Sequence, residues 1–108
     1  MRDQRERLRD ILDAIEQIEA ERSKGKSVFE KSRLIQVWMI HHLMIIGEAA
    51  RAIDPAFQQQ HPSVPWRLMA GMRNVIVHDY FRVNPDITWK TVTEDLPPLR
   101  EAIEKILS

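Results

Sequence analysis

Apolar residues recur at Leu8, Ile11, Leu12, Ile15 and Ile18, the three- and four-residue spacing that gives an α-helix one buried face. The glycine and small polar residues of Ser23 to Ser27 then mark a connection. Ser27-Val-Phe-Glu30 has the spacing of a capping box, which predicts that a second helix starts there. That helix is predicted to run to about Ile53, with Asp54-Pro55 close to its end. It carries two apolar faces: Leu34, Trp38, Ile45 and Ala52 on one, and Ile35, Met39, Ile46, Ala49 and Ile53 on the other. One neighbouring layer does not cover both, so the helix is either central in a bundle or shared with a second subunit.

After the polar QQQHPS segment, Ser63 or Val64 leads into Pro65, whose fixed φ suits a first helical turn. A third helix follows through Trp66, Leu68, Met69, Met72, Val75 and Ile76 toward His78. Asn84-Pro85-Asp86 repeats the signal, with a capping side chain, a first-turn proline and an acid near the positive end of the dipole. The fourth helix it starts carries Ile87, Trp89, Val92 and Leu96. Pro97-Pro98 must break or kink that helix, because each proline lacks an amide hydrogen and crowds the preceding turn. A last short helix resumes from Leu99 to Leu107. No strand-like alternation, repeat or low-complexity tract interrupts this pattern. The expected fold class is all-α: an up-and-down bundle of four main helices whose C-terminal helix is kinked.

Composition narrows the picture. A chain of 108 residues suits one domain over positions 1–108. Sixteen basic and sixteen acidic side chains cancel, so any polyanion must be attracted locally rather than by a global field. With no cysteine, disulfides, thiolate nucleophiles and thiolate metal sites are excluded. MRDQRERLRD alternates charges where a signal peptide needs an apolar core, and the longest apolar stretch, Val37 to Gly47, is interrupted by His41 and His42. A cytoplasmic protein with no membrane segment is expected.

The candidate chemistry lies in RNVIVHDY, Arg73 to Tyr80. Together it offers a fixed cation for a phosphate, an imidazole that titrates near neutrality and a phenol that can donate a hydrogen bond or be modified. Those are the parts of a phosphodiester site that needs no metal. On an unbroken helix Arg73 and Tyr80 share a face, while His78 points about 140° away from Arg73. The group assembles only if the chain leaves the helix near His78 or if a second subunit supplies the missing member. The same residue types near a helix end also make caps, surface pairs or a satisfied core histidine, and the residues alone leave both readings standing. His41 and His42 are adjacent on a helix and so do not form a ligand pair; His61, beside a proline in a loop, is expected to be solvent-exposed. Met39, Met44, Met69 and Met72 read as core filling. No glycine-rich phosphate loop, nucleophile elbow or paired-carboxylate metal motif is present.

The segments RLRDILDAIEQIE, IIGEAARAI, HPSVPWRLMAGMRNVIVHDYF and ITWKTVTEDLPPL occur in this order over nearly the whole chain. In them the sequence resembles the HepT-like toxins, a branch of the HEPN superfamily. The most specific element is arginine, four residues, histidine, any residue, tyrosine, matched by Arg73, His78 and Tyr80. Departures are WMIHH at Trp38 to His42, bulkier than the usual pattern, and the paired Pro97-Pro98 where one proline is typical. The resemblance implies a HEPN-type bundle and a toxin of a toxin–antitoxin system that acts as a metal-independent endoribonuclease without a cofactor. It further implies a homodimer whose two motifs line one cleft, and an MNT-like minimal nucleotidyltransferase antitoxin that transfers AMP onto Tyr80. In this scheme His78 does general acid/base work, Arg73 binds the phosphate and Tyr80 positions and regulates. Asn74 and Asp79 orient the imidazole or the backbone. The competing reading is a non-catalytic HEPN module for nucleotide binding or dimerisation, the partner of a nucleotidyltransferase.

Overall fold

The computed structural model describes the backbone of residues 3–78 and 85–108, and side chains over the same ranges except for positions 73–78. Seven α-helices carry it: α1 (Gln4–Arg22), α2 (Lys26–Lys31), α3 (Arg33–Ala52), α4 (Pro55–Gln60), α5 (Trp66–His78), α6 (Pro85–Lys90) and α7 (Leu96–Leu107), with a π-helical turn at Thr91–Asp95. No strand occurs among the described residues. The chain is an all-α bundle in which α3 lies between α1 and α5, while α7 packs on α1.

The core follows the apolar stripes. Leu8, Ile11, Ile15 and Ile18 of α1 are fully buried, and they meet Met39, Leu43 and Ile46 of α3 and Leu96, Leu99 and Ile103 of α7 in one cluster. Burying a side chain of this size stabilises the fold by roughly 1.5–3 kcal/mol. Arg100 ties α7 to α1 at the rim, its guanidinium bonding Glu104 at 2.7 Å and Glu19 at 2.5 Å, with Glu16 at 3.5 Å. The hydrogen bond to Glu104 leads in raising the Arg100 pKa; desolvation opposes it, and the charge and hydrogen bond of Glu19 add to it.

The predicted second helix is divided. The Ser27–Glu30 capping box does not form: α2 begins at Lys26 behind Gly25, whose φ of 99° suits glycine, and that start has no side-chain cap. The chain breaks at Ser32, which is extended and whose hydroxyl accepts from the Ile35 amide at 3.1 Å, capping α3. Gln36 seals the other side of the break by donating its side-chain amide to the Phe29 carbonyl at 3.1 Å. At the far end α3 stops at Ala52, as expected, and Asp54-Pro55 then opens the short helix α4, with Asp54 accepting from Ala56.

One apolar face of α3 is covered, and the other only in part, at Ile45, which packs against the core. Met39, Ile46 and Ile53 are buried, whereas Leu34 is 79% exposed, Val37 42% and Trp38 41%. Enclosure of α3 by other helices of the same chain therefore does not account for its second face among the described residues.

The start of α5 falls within one residue of expectation, with the Pro65 carbonyl accepting from the Met69 amide. Pro85 opens α6 with Asp86 in its first turn, while Asn84, read as the cap, lies outside the described residues. Pro97-Pro98 neither breaks the chain nor begins the last helix at Leu99. Both prolines sit in the first turn of α7, where a missing amide costs no bond, and the π turn before them takes up the misfit.

Candidate functional site

Helix α5 carries positions 73 and 78 of the motif, and its register is set at its N-terminal half. Trp66 is pinned by its indole N–H, which donates to the carbonyls of His61 at 2.9 Å and Gln58 at 3.1 Å. Met69 and Met72 are buried on the core side. From there the helix runs unbroken through positions 73, 74 and 78. Five residues on one helix separate Arg73 from His78 by about 7.5 Å along the axis and 140° around it. A single α5 thus sets the two residues on different faces. The side chains of Arg73, Asn74 and His78, and all of Asp79 and Tyr80, lie outside the described residues.

The other histidines are accounted for. His42 is 7% exposed and its Nδ1 donates to the Trp38 carbonyl at 2.7 Å, so it is a satisfied core histidine. Its neighbour His41 is exposed. His61 is half-buried rather than exposed, because its ring packs against Phe57 at a centroid distance of 4.7 Å. Met39, Met69 and Met72 are buried, as core filling requires, and Met44 is half-buried. No cluster of three His, Asp or Glu side chains suited to a metal occurs among the described residues. No described helix is long and apolar enough to cross a membrane.

Two grooves flank the bundle's central layer. One, of about 700 Å³, lies between α1 and α3 and is lined by Arg7, Asp10, Asp13, His41, Ile45 and Glu48 among others. The second, of about 330 Å³, lies between α5 and the α6–π segment, lined by Arg67, Leu68, Gly71, Met72, Ile87, Thr88, Thr91 and Asp95 with Leu43 beneath. No motif in the sequence marks this second set, because its members come from separate elements and gather only when α5 and α6 both pack on α3.

Comparison with known proteins gives the chain a lineage. The family described as "Ribonuclease HepT-like" matches residues 11–106. "Probable ribonuclease HepT" of Thermococcus cleftensis is 42% identical over 106 residues, 97% of this chain and 96% of that one. "Putative RNase MJ1380" of Methanocaldococcus jannaschii is 38% identical over 104 residues, 95% of each chain. In the same organism "Gamma-glutamylcyclotransferase and putative RNase MJ0434" is 36% identical across 93% of this chain but 46% of its own length. No solved structure gives a significant match.

Proposed function

Because the chain belongs to the HepT-like ribonuclease family, we propose that it is an endoribonuclease that cuts RNA without a metal, as the toxin of a two-component toxin–antitoxin pair. The observation that carries this reading is the family match over residues 11–106, a span that contains the whole of Arg73 to Tyr80.

Cleavage of RNA without a metal requires a base to take the proton of the 2′-hydroxyl and an acid to protonate the leaving 5′-oxygen. It also requires positive charge on the phosphorane. His78 supplies proton transfer and Arg73 the charge, with Asn74 and Asp79 orienting them. One chain has a single histidine in the motif, and α5 alone sets it on a different face from the arginine. A homodimer that joins two motifs in one cleft supplies both the base and the acid, together with two guanidinium groups. The exposed stripe on α3 supports such a pairing. The partner of the pair is an MNT-like nucleotidyltransferase, which transfers AMP to the Tyr80 phenol with release of pyrophosphate from ATP. The added anion then blocks an anion-binding cleft by volume and by charge. The reaction belongs in the cytoplasm, where RNA and ATP are both at hand.

The test is cleavage of single-stranded RNA by the purified protein in excess EDTA. Cutting by the wild type and none by His78→Ala is expected. Cleavage that needs an added divalent ion, or that survives His78→Ala, overturns the assignment. Because Tyr80 is the chain's only tyrosine, label from radioactive ATP and the cognate transferase must disappear in Tyr80→Phe if the phenol is the acceptor.

A further inference from the structure

Most large apolar side chains of this protein are covered, yet Leu68 is 45% exposed and Ile87 48%, and both stand in the groove between α5 and the α6–π segment. Three polar groups converge between them. Thr88 lines the groove, and its hydroxyl makes no hydrogen bond to another described residue while not being sealed from solvent. This contrasts with neighbouring Thr91, whose hydroxyl donates to the Ile87 carbonyl at 2.9 Å. Asp95 stands at the N-cap of α7 without capping it, and it pairs with no cation among the described residues. Arg67 is exposed at the rim, likewise without a carboxylate partner among the described residues. The wall on α5 is Gly71, where an added Cβ would meet no heavy atom within 4 Å.

A slot with apolar sides, an accessible hydroxyl, a carboxylate without a cation and a guanidinium at its mouth matches the anatomy of a nucleotide. Such a ligand has a flat π system with two apolar faces, a hydrogen-bonding edge and a phosphate. At about 330 Å³ the groove has the size of a small-ligand pocket and is too narrow for the face of a partner helix. Its place fits as well. Positions 67, 71 and 78 fall on one row of α5, and position 78 lies about 10 Å along the axis from position 71. Two or three stacked nucleotides at about 3.4 Å each span that distance.

We infer that this groove receives one nucleobase of the RNA strand near the scissile phosphate, an inference that rests on the ribonuclease reading above. Leu68, Met72 and Ile87 sandwich the base, the Thr88 hydroxyl and the Asp95 carboxylate read its edge, and Arg67 holds the adjoining phosphate. An ionised carboxylate only accepts hydrogen bonds, so Asp95 favours guanine, whose N1–H and amino group offer two adjacent donors, over uracil, which offers N3–H alone.

The experiment has two parts. In the first, short single-stranded RNAs that differ in one base are cleaved by wild type, Gly71→Leu and Asp95→Asn. Gly71→Leu fills the slot and should lower kcat/KM by about tenfold or more. It should do so without lowering the melting temperature, since a helical glycine gains propensity from a side chain whose Cβ meets no heavy atom within 4 Å. Asp95→Asn should compress the preference for guanine over uracil by about tenfold. Unchanged rates and base preference in both variants overturn the groove while the ribonuclease reading stands. In the second part, AMP, CMP, GMP and UMP are titrated while the methyl resonances of Leu68, Met72, Ile87 and Thr88 are followed. Shifts that vanish in Gly71→Leu support the site. Absent shifts, or shifts produced only by the nucleotidyltransferase protein, overturn it. If the wild type cuts no RNA at all, the ribonuclease reading falls and this titration alone decides the groove.

Discussion

A proton carrier and a fixed cation on the same helix fail in different ways when replaced. His78→Ala removes acid/base chemistry, so kcat should fall by about 10² to 10⁴ with little change in KM. Arg73→Lys keeps the charge but loses the planar fork that matches a phosphate, so it should lower kcat/KM well below wild type without unfolding the protein. Single-turnover kinetics on one RNA, with melting temperatures alongside, separates the two. At this scale the sequence was most informative where a residue's chemistry is unusual for its place. Arg73, His78 and Tyr80 stood out by type and spacing. For His42 the spacing said only that it makes no ligand pair with His41; its bond to the Trp38 carbonyl four residues back is what the structure adds. His61 was misjudged because the Phe57 ring that half-covers it belongs to α4, a helix the pattern had not revealed. The groove residues Leu68, Thr88 and Asp95 carry no local mark at all, since an accessible hydroxyl or a carboxylate without a cation becomes visible only when its surroundings are known.

Helices announced their existence through periodicity but not their joints. A capping box at Ser27 and a cap at Ser32 compete within six residues, and the outcome was decided by contacts that spacing does not encode. Phe29 must turn inward, to 1% exposure, and Gln36 must reach the carbonyl of Phe29. Ser32→Ala should therefore destabilise the fold by about 1 kcal/mol, whereas Ser27→Ala, exposed and inside α2, should be nearly neutral. Urea titration of the two variants checks the assignment directly. The proline pair was legible as a disturbance but not as its remedy. A π turn adds a residue per turn without breaking the backbone, and whether the chain kinks or widens depends on how α7 packs on α1. That packing is braced by Arg100. A pKa raised in the folded state gives stability that is complete below the unfolded value and is lost only as pH rises through the folded one. For a guanidinium that window lies in strong alkali, so the contribution of its charge stays constant at physiological pH. Arg100→Met should cost roughly 0.5–1 kcal/mol, as exposed ion-pair networks do.

For the molecule as a whole, the apolar surface left on α3 is the decisive quantity. Leu34 at 79% exposure forms a stripe with Val37 and Trp38, each above 40%, and Val28 of α2 is also 42% exposed. A soluble chain that leaves this many large side chains in water on one helical face normally covers them with a partner, and the proposed mechanism needs a second motif. One two-fold axis along α3 would meet both demands, since an isologous contact sets the same stripe of each protomer against the other. Sedimentation should then show a species of twice 12.7 kDa. The double variant Leu34→Glu, Val37→Glu inserts like charges at such a contact on two exposed positions and spares Trp38, whose ring packs on buried His42 at 4.4 Å. It should sediment at 12.7 kDa, keep its helical circular dichroism and lose RNA cleavage, because base and acid no longer share a cleft. A variant that becomes monomeric and still cuts at the wild-type rate would show that one motif suffices. A variant that stays dimeric would move the interface away from α3 and leave its exposed stripe to another partner.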